Sequence, residues 1–406
     1  MAWLEELSTS GHTCRVVCGL APAATAQQRS SIQREAERQG FHANLESADM
    51  CLTLDNGIDV RVYEGLPLRK GVVAAQIEDF APDWVLVSSE DLGHSLLREA
   101  SEHASGRVVY LAHTPQFFPF GPESWSLDSQ AAERVREAAA VVVIGEHMAG
   151  YVREHLGREA VVIHPPLYGS GPFENFSRFE KGFVLMINPC AVKGISIFAA
   201  LAEQFHNVRF GALPGWGTTD RDLARLRDLS NVTLLQSVRR IEEVLRQARI
   251  LLVPSLWYEG FGLIVMEAML RGIPVISSDS GGLVEAKNGT EFVVPVQPIR
   301  EYQPQFDEVR LPLPVLPKQR DGLWSFALES LLTEGSVYQD ESARSREQAH
   351  RFVSEIRPRA MEEMLNSLRA HSGQKGEPQS GSGADRLSPA RRSLLLSRLR
   401  ALRARL

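Results

Sequence analysis

Two glutamates with seven residues between them, Glu259 and Glu267, bracket a glycine pair in LLVPSLWYEGFGLIVMEAMLRGIPVISSDSGGLVEAKNG, which starts at Leu251. An ionised carboxylate accepts two hydrogen bonds side by side, which matches a vicinal diol. Glu259 in a loop can therefore hold sugar hydroxyls, and Glu267, further along a helix, can hold a ribose. If the helix starts near Gly262, the backbone N–H groups of Gly260, Phe261, Gly262 and Leu263 are free to bind an anion such as a diphosphate. Gly260 and Gly262 let a ligand approach the backbone closely. The same pair also fits a loop carboxylate favouring the helix dipole and a solvated helix carboxylate, so the spacing alone leaves both readings open.

The elements that must position these residues alternate along the chain. Thr13 to Val17, Trp84 to Val87, Val108 to Leu111, Ala140 to Ile144 and Val161 to Ile163 are β-branched, strand-like runs. Ser95 to Glu102, Ala131 to Glu137 and Met148 to Leu156 have helical spacing between them. After Pro165-Pro166 the pattern pauses, then resumes with Phe183 to Ile187, Val208 to Phe210, Val232 to Leu235, Ile250 to Val253 and Pro274 to Ser277. Such alternation predicts two α/β halves with doubly wound parallel sheets and a ligand cleft at the carboxyl ends of the strands. The expected division is residues 1–166, a linker 167–181, a nucleotide-sugar half 182–340, helices 341–371 packing back toward the first half, a tether 372–386 and a terminal helix 387–406. Residues 295–320 carry six prolines and read as a surface loop, and Trp324 to Leu332 and Glu341 to Leu368 as helical.

Fifty acidic against 44 basic residues give a net charge of −6, so nothing electrostatic argues for nucleic acid as a partner. The four cysteines form no CxxC pair, and no run reaches the length of a membrane span, which together predict a cytoplasmic protein without disulfides. Asp220-Arg221-Asp222 has the form of a metal-holding triplet but opens a helical stretch, where first-turn acids are favourable in their own right. No HExxH or zinc spacing occurs, and no metal or other cofactor is expected. A GxGxxG turn is missing from the first half, which argues against a dinucleotide oxidoreductase.

The block from EGFG through EAM, RGIPVI and GGLVE resembles the retaining glycosyltransferases of family 4, whose signature is two glutamates with this separation. The resemblance extends more weakly over residues 1–370. It implies the GT-B architecture of two Rossmann-like domains facing across a cleft, and transfer of a hexose from a nucleoside-diphosphate sugar to an acceptor hydroxyl. It further implies that Glu259 contacts the hexose, Glu267 the ribose, and the Gly260 to Gly262 backbone the sugar and diphosphate. Lys193, in NPCAVKG, falls at the family's diphosphate-binding lysine, and His113, in VVYLAHTPQFF, at its cleft histidine. Gln116, Phe117 and Phe118 stand beside His113 as a candidate acceptor wall. Where the family carries an arginine five or six residues before the lysine, this chain has Ile187 or Asn188, so Asn188 is the donor-site residue at that position.

Family members begin with a strand and a glycine-rich loop, whereas WLEELSTSGHTCRVV opens in the following helix, so the expected first half lacks that strand. The tail LSPARRSLLLSRLRALRARL, with six arginines and no acid, reads as a basic amphipathic helix for protein docking or membrane-surface contact. Its start resembles the short linkers ahead of condensation domains in peptide and polyketide assembly lines, which points to a secondary-metabolite acceptor. A nucleotide-sugar-binding scaffold and a GT-B epimerase remain the alternatives.

Overall fold

Runs rich in valine, isoleucine and leucine make strands that need cover on both faces, and parallel sheets with flanking helices supply it. The computed structural model describes residues 1–20, 42–46, 49–53, 57–65, 68–238 and 240–374. Met1–Glu362 form one compact unit and Glu363–Leu406 another. The tail helix expected at 387–406 and most of the tether lie outside the described residues.

The first half opens with the helix Ala2–Thr9, then β1 (Arg15–Leu20), β2 (His42–Glu46), β3 (Asp49–Thr53) and β4 (Asp59–Glu64). β1 pairs in parallel with β4, while β4, β3 and β2 run antiparallel to one another. β5 (Val85–Ser88), β6 (Val108–Ala112), β7 (Ala140–Val143) and β8 (Val161–Val162) form a parallel sheet of their own. The half is thus built on two four-stranded sheets, and among the described residues β1 pairs only with β4 and β5 only with β6. Sequence periodicity finds β5 to β8 within a residue at either end and β1 within three, but misses β2, β3 and β4. HANLE and DVRVYE mix polar and apolar residues over too few positions to stand out from loops.

In the second half β9 (Phe183–Ile187), β10 (Phe210–Leu213), β11 (Val232–Leu234), β12 (Ala248–Val253), β13 (Val275–Ser278) and β14 (Val293–Val294) form one parallel sheet in the order β11-β10-β9-β12-β13-β14. Alternate side chains of one strand enter different cores. Val184 and Met186 join the layer under the helix Ile195–Gln204, while Leu185 joins the layer with the helix Leu263–Leu270. The proline-rich stretch is not wholly loop, since β15 (Tyr302–Phe306) and β16 (Pro312–Pro314) pair as an antiparallel ribbon. Proline is tolerated there because a two-stranded ribbon leaves outward positions without ladder bonds.

The long helix Gly335–Glu355 lies against Leu263–Leu270 of the second half, whereas Glu362 reaches His12 of the first half at 3.2 Å. Lys287, 1 % exposed, donates to the Val275 carbonyl at 2.6 Å and to Glu341 at 3.1 Å, tying the helix Leu283–Lys287 to that long helix. Among the described residues no helix is long and apolar enough to cross a membrane. Removing one partner of a buried pair leaves an uncompensated charge. Lys287→Met is therefore expected to cost on the order of 3 kcal/mol in urea unfolding, and Lys287→Met with Glu341→Leu to recover most of the loss.

Candidate functional site

The chain leaves β9 toward β10 but leaves β12 toward β13, although β9 and β12 are neighbours. The loops after β9 and β12 therefore open between them the crevice in which such sheets bind ligands. Lys193 comes from the first loop and Glu259 from the second. The Lys193 Nζ donates to Glu259 Oε1 at 2.6 Å, with the side chains 18 % and 13 % exposed. The Nζ also sits 4.2 Å from the centre of the Trp257 ring, and the Ser255 hydroxyl donates to the same carboxylate oxygen. Burial alone would raise the Glu259 pKa, but the Lys193 charge and the hydrogen bonds from Lys193 and Ser255 outweigh it and hold the carboxyl below its ordinary value. Glu259 is thus an ionised acceptor matched to a cation.

Gly260 stands where the two halves touch. A Cβ there would lie 2.2 Å from the His113 carbonyl oxygen, so only glycine fits. Gly262, at φ +108, adopts a backbone conformation that favours glycine and begins the helix Leu263–Leu270. No side chain caps this helix; Val265 N–H turns back to the Gly262 carbonyl at 2.9 Å, while the N–H groups of Leu263 and Ile264 at its start have no carbonyl a turn earlier in the helix. Phe261 is 2 % exposed and stacks on Phe352, so only its backbone faces the crevice side. Glu267 lies one turn beyond Leu263 on the same helix face. Burial pushes its pKa up to about 7, against the nearby Arg271, which lowers it. Arg271 itself is committed to Glu242 at 2.7 Å and to the Glu267 carbonyl at 2.9 Å.

His113 follows β6, with its N–H bonded to Ser89 Oγ at 3.1 Å. Burial lowers its pKa to about 4, so the ring is neutral near pH 7. Its Nε2 is buried without a hydrogen-bond partner among the described residues, and the ring lies 5.7 Å from that of Trp3. Asn188 ends β9 at φ +54 and uses its Oδ1 to accept from Gly217 N at 2.9 Å. Its Nδ2 is buried and unbonded, so the amide pins the loop after β10 and keeps one donor in reserve.

Not all of the expected acceptor wall faces the cleft. Gln116 and Phe118 are fully buried, and Gln116 instead donates to the Tyr258 carbonyl across the halves at 3.2 Å. Glu285 of the second half accepts from the N–H groups of Glu146 and His147 at 2.9 and 2.8 Å, capping a first-half helix. Ser255, Trp257 and Glu285, which the structure brings against the pair or across the halves, lie within the sequence block that carries the glutamates, but local pattern does not single them out. The Asp-Arg-Asp triplet opens the helix Asp220–Arg227, where Asp222 and Thr219 form a capping box. Among the described residues no three His, Cys, Asp or Glu side chains gather as a metal site.

The chain is similar to known proteins in one segment and in fold. Residues 178–303 match the family model of group 1 glycosyl transferases. That segment holds Lys193, Glu259, Glu267 and both glycines. Among solved structures, the Anabaena HepE determined with UDP and glucose superposes with a TM-score of 0.58 at 15 % identity, covering 87 % of this chain and all (100 %) of that one. Sucrose-phosphate synthase from Thermosynechococcus elongatus gives 0.57 at 14 %, covering 88 % and 100 %, and a glycosyltransferase from Rickettsia africae gives 0.53 at 11 %, covering 88 % and 99 %. No curated protein matches. The fold is GT-B, and within its second half residues 178–303 match the group 1 glycosyl transferase model.

The raised pKa of Glu267 gives a sign to test. The folded chain keeps a proton that the unfolded chain releases at lower pH, so Glu267 makes stability fall as pH rises toward about 7. Glu267→Gln, neutral throughout, is expected to melt above the wild type at about pH 8 and level with it at about pH 5 in thermal unfolding.

Proposed function

We propose that this chain is a retaining glycosyltransferase of family 4, transferring a hexose from a nucleoside-diphosphate sugar to an acceptor hydroxyl in the cytoplasm. The observation that carries the proposal is the Lys193–Glu259 pair, at 2.6 Å, beside an uncapped helix N-terminus and at the glycine where the two halves meet. A cation and free amides suit a departing diphosphate, and an ionised carboxylate suits the hydroxyls of the transferring sugar. HepE was solved with UDP and glucose, in keeping with a donor of this chemistry.

In this reading the bond between sugar C1 and the diphosphate oxygen breaks as the acceptor oxygen bonds to C1 on the same face. The acceptor proton passes to a donor phosphate oxygen, and the nucleoside diphosphate leaves. Lys193 and the amides of Gly262 and Leu263 meet the charge that develops on the leaving group, with no divalent metal required. Donor binding draws Lys193 toward phosphate and frees Glu259 to orient the sugar. Glu267 accepts from the ribose diol, and the neutral His113 offers Nε2 to a sugar hydroxyl. Closure of the halves excludes the water that would hydrolyse the donor.

The test begins with binding of UDP-, GDP-, ADP- and TDP-sugars to the full chain without metal, with donor turnover followed by mass. One donor is expected to bind saturably and hydrolyse slowly. Glu259→Gln should then lower turnover at least about a hundredfold while the donor still binds. Glu267→Gln should weaken donor binding by about tenfold or more. Binding of no donor, or wild-type kinetics in both variants, overturns the reading.

A further inference from the structure

Trp216 is a large apolar side chain left 56 % exposed, yet the loop that carries it is held on both sides. Gly217 N is bonded to Asn188 Oδ1 at 2.9 Å, and Gly215 N to Thr218 Oγ1 at 3.0 Å. The Trp216 ring lies 6.0 Å from Lys193 Nζ and 5.6 Å from the Trp257 ring, tilted at 34°. From Trp257 the row continues into the first half through Trp125 at 6.1 Å, which in turn meets Tyr302 at 5.5 Å and Phe117 at 5.5 Å. Near the far end, Glu123 of the first half faces Arg300 of the second at 3.8 Å, and the Arg300 side chain is 71 % exposed.

We infer that this aromatic row is an acceptor subsite for a pyranose ring, with Trp216 as its outer platform. The inference rests on the transferase reading and specifies its acceptor. A sugar ring has an apolar C–H face that packs on indole and a rim of hydroxyls that needs donors and acceptors. Trp216 supplies the open face, backed by Trp257, which is itself only 5 % exposed, and the Lys193–Glu259 and Glu123–Arg300 pairs stand toward the two ends of the row as polar partners. A lipid chain laid along it would strip water from those charged groups without replacing their hydrogen bonds. The nucleobase is directed elsewhere. Glu267 sits on the helix that packs one face of the second sheet, whereas Trp257 belongs to the core on the opposite face. A ribose at Glu267 therefore carries its base away from Trp216.

The test uses the full chain and saturation-transfer NMR with maltose, cellobiose, lactose and chitobiose, each with and without UDP. A parallel series uses a tyrosine-containing tripeptide. Trp216→Ala and Trp216→Phe are compared with the wild type, and the fractional exposure of Trp216 makes unfolding by either change unexpected. At least one disaccharide is expected to bind the wild type. Trp216→Ala should weaken it on the order of tenfold, while Trp216→Phe stays within a few-fold and UDP binding is unchanged. Equal disaccharide binding by Trp216→Ala overturns the inference, as does loss of UDP binding in that variant, which would assign Trp216 to the base. Binding of the tripeptide alone also overturns it. UDP binding without any disaccharide binding refutes the subsite and spares the transferase reading. Binding of none of the UDP-, GDP-, ADP- and TDP-sugars, run in parallel, refutes that reading itself.

Discussion

Lys193 and Glu259 are 66 positions apart, and their contact at 2.6 Å depends on β9 and β12 being sheet neighbours. A lysine and a glutamate this sheltered are tolerable only as a pair, because each alone would lose hydration without compensation. Each loop is consequently fixed by the other. The pair holds the β9 loop against Trp257, and Trp257 holds the tryptophans on either side of it. The buried charge pair and packing in the second half are thus joined through one interaction.

The second constraint is the approach of the halves. Gly260 meets the His113 carbonyl so closely that a methyl group would force them apart. Gly282 N donates to the Glu259 carbonyl at 2.8 Å, so the glycine turn after β13 braces the same loop. Glu285, just beyond, caps a helix of the opposite half. The site is therefore not a pocket within either half. It is made where loops from both converge, which is why the His113 carbonyl of the first meets Gly260, the neighbour of Glu259, in the second.

Much of this was legible in the chain because strand and helix periods are local. The runs at β5 to β7 and β9 to β13 are apolar, short and bounded by turn residues, and the structure places all but β10 within a residue or two of expectation, β10 beginning two and ending three residues later. The glutamates, glycines and Lys193 were also readable, since they lie in one contiguous block or in a short motif. The ribbon β15–β16 was hidden by its prolines, and β2 to β4 by their mixed polarity. Gln116 and Phe118 were misjudged for a different reason, because nearness to His113 in sequence says nothing of which side of a turn faces the cleft.

The sequence by itself determined the element types, the two α/β halves and the residue kinds that can hold a sugar nucleotide, since these follow from local period and side-chain chemistry. Only the tertiary structure decided that Lys193 pairs with Glu259, that Glu267 is pushed to a pKa of about 7, and that Asn188 anchors the Trp216 loop. It also set three tryptophans from separate segments in a row. Such outcomes depend on strand order and burial, and both are sums over contacts between residues far apart in the chain. No local pattern encodes them.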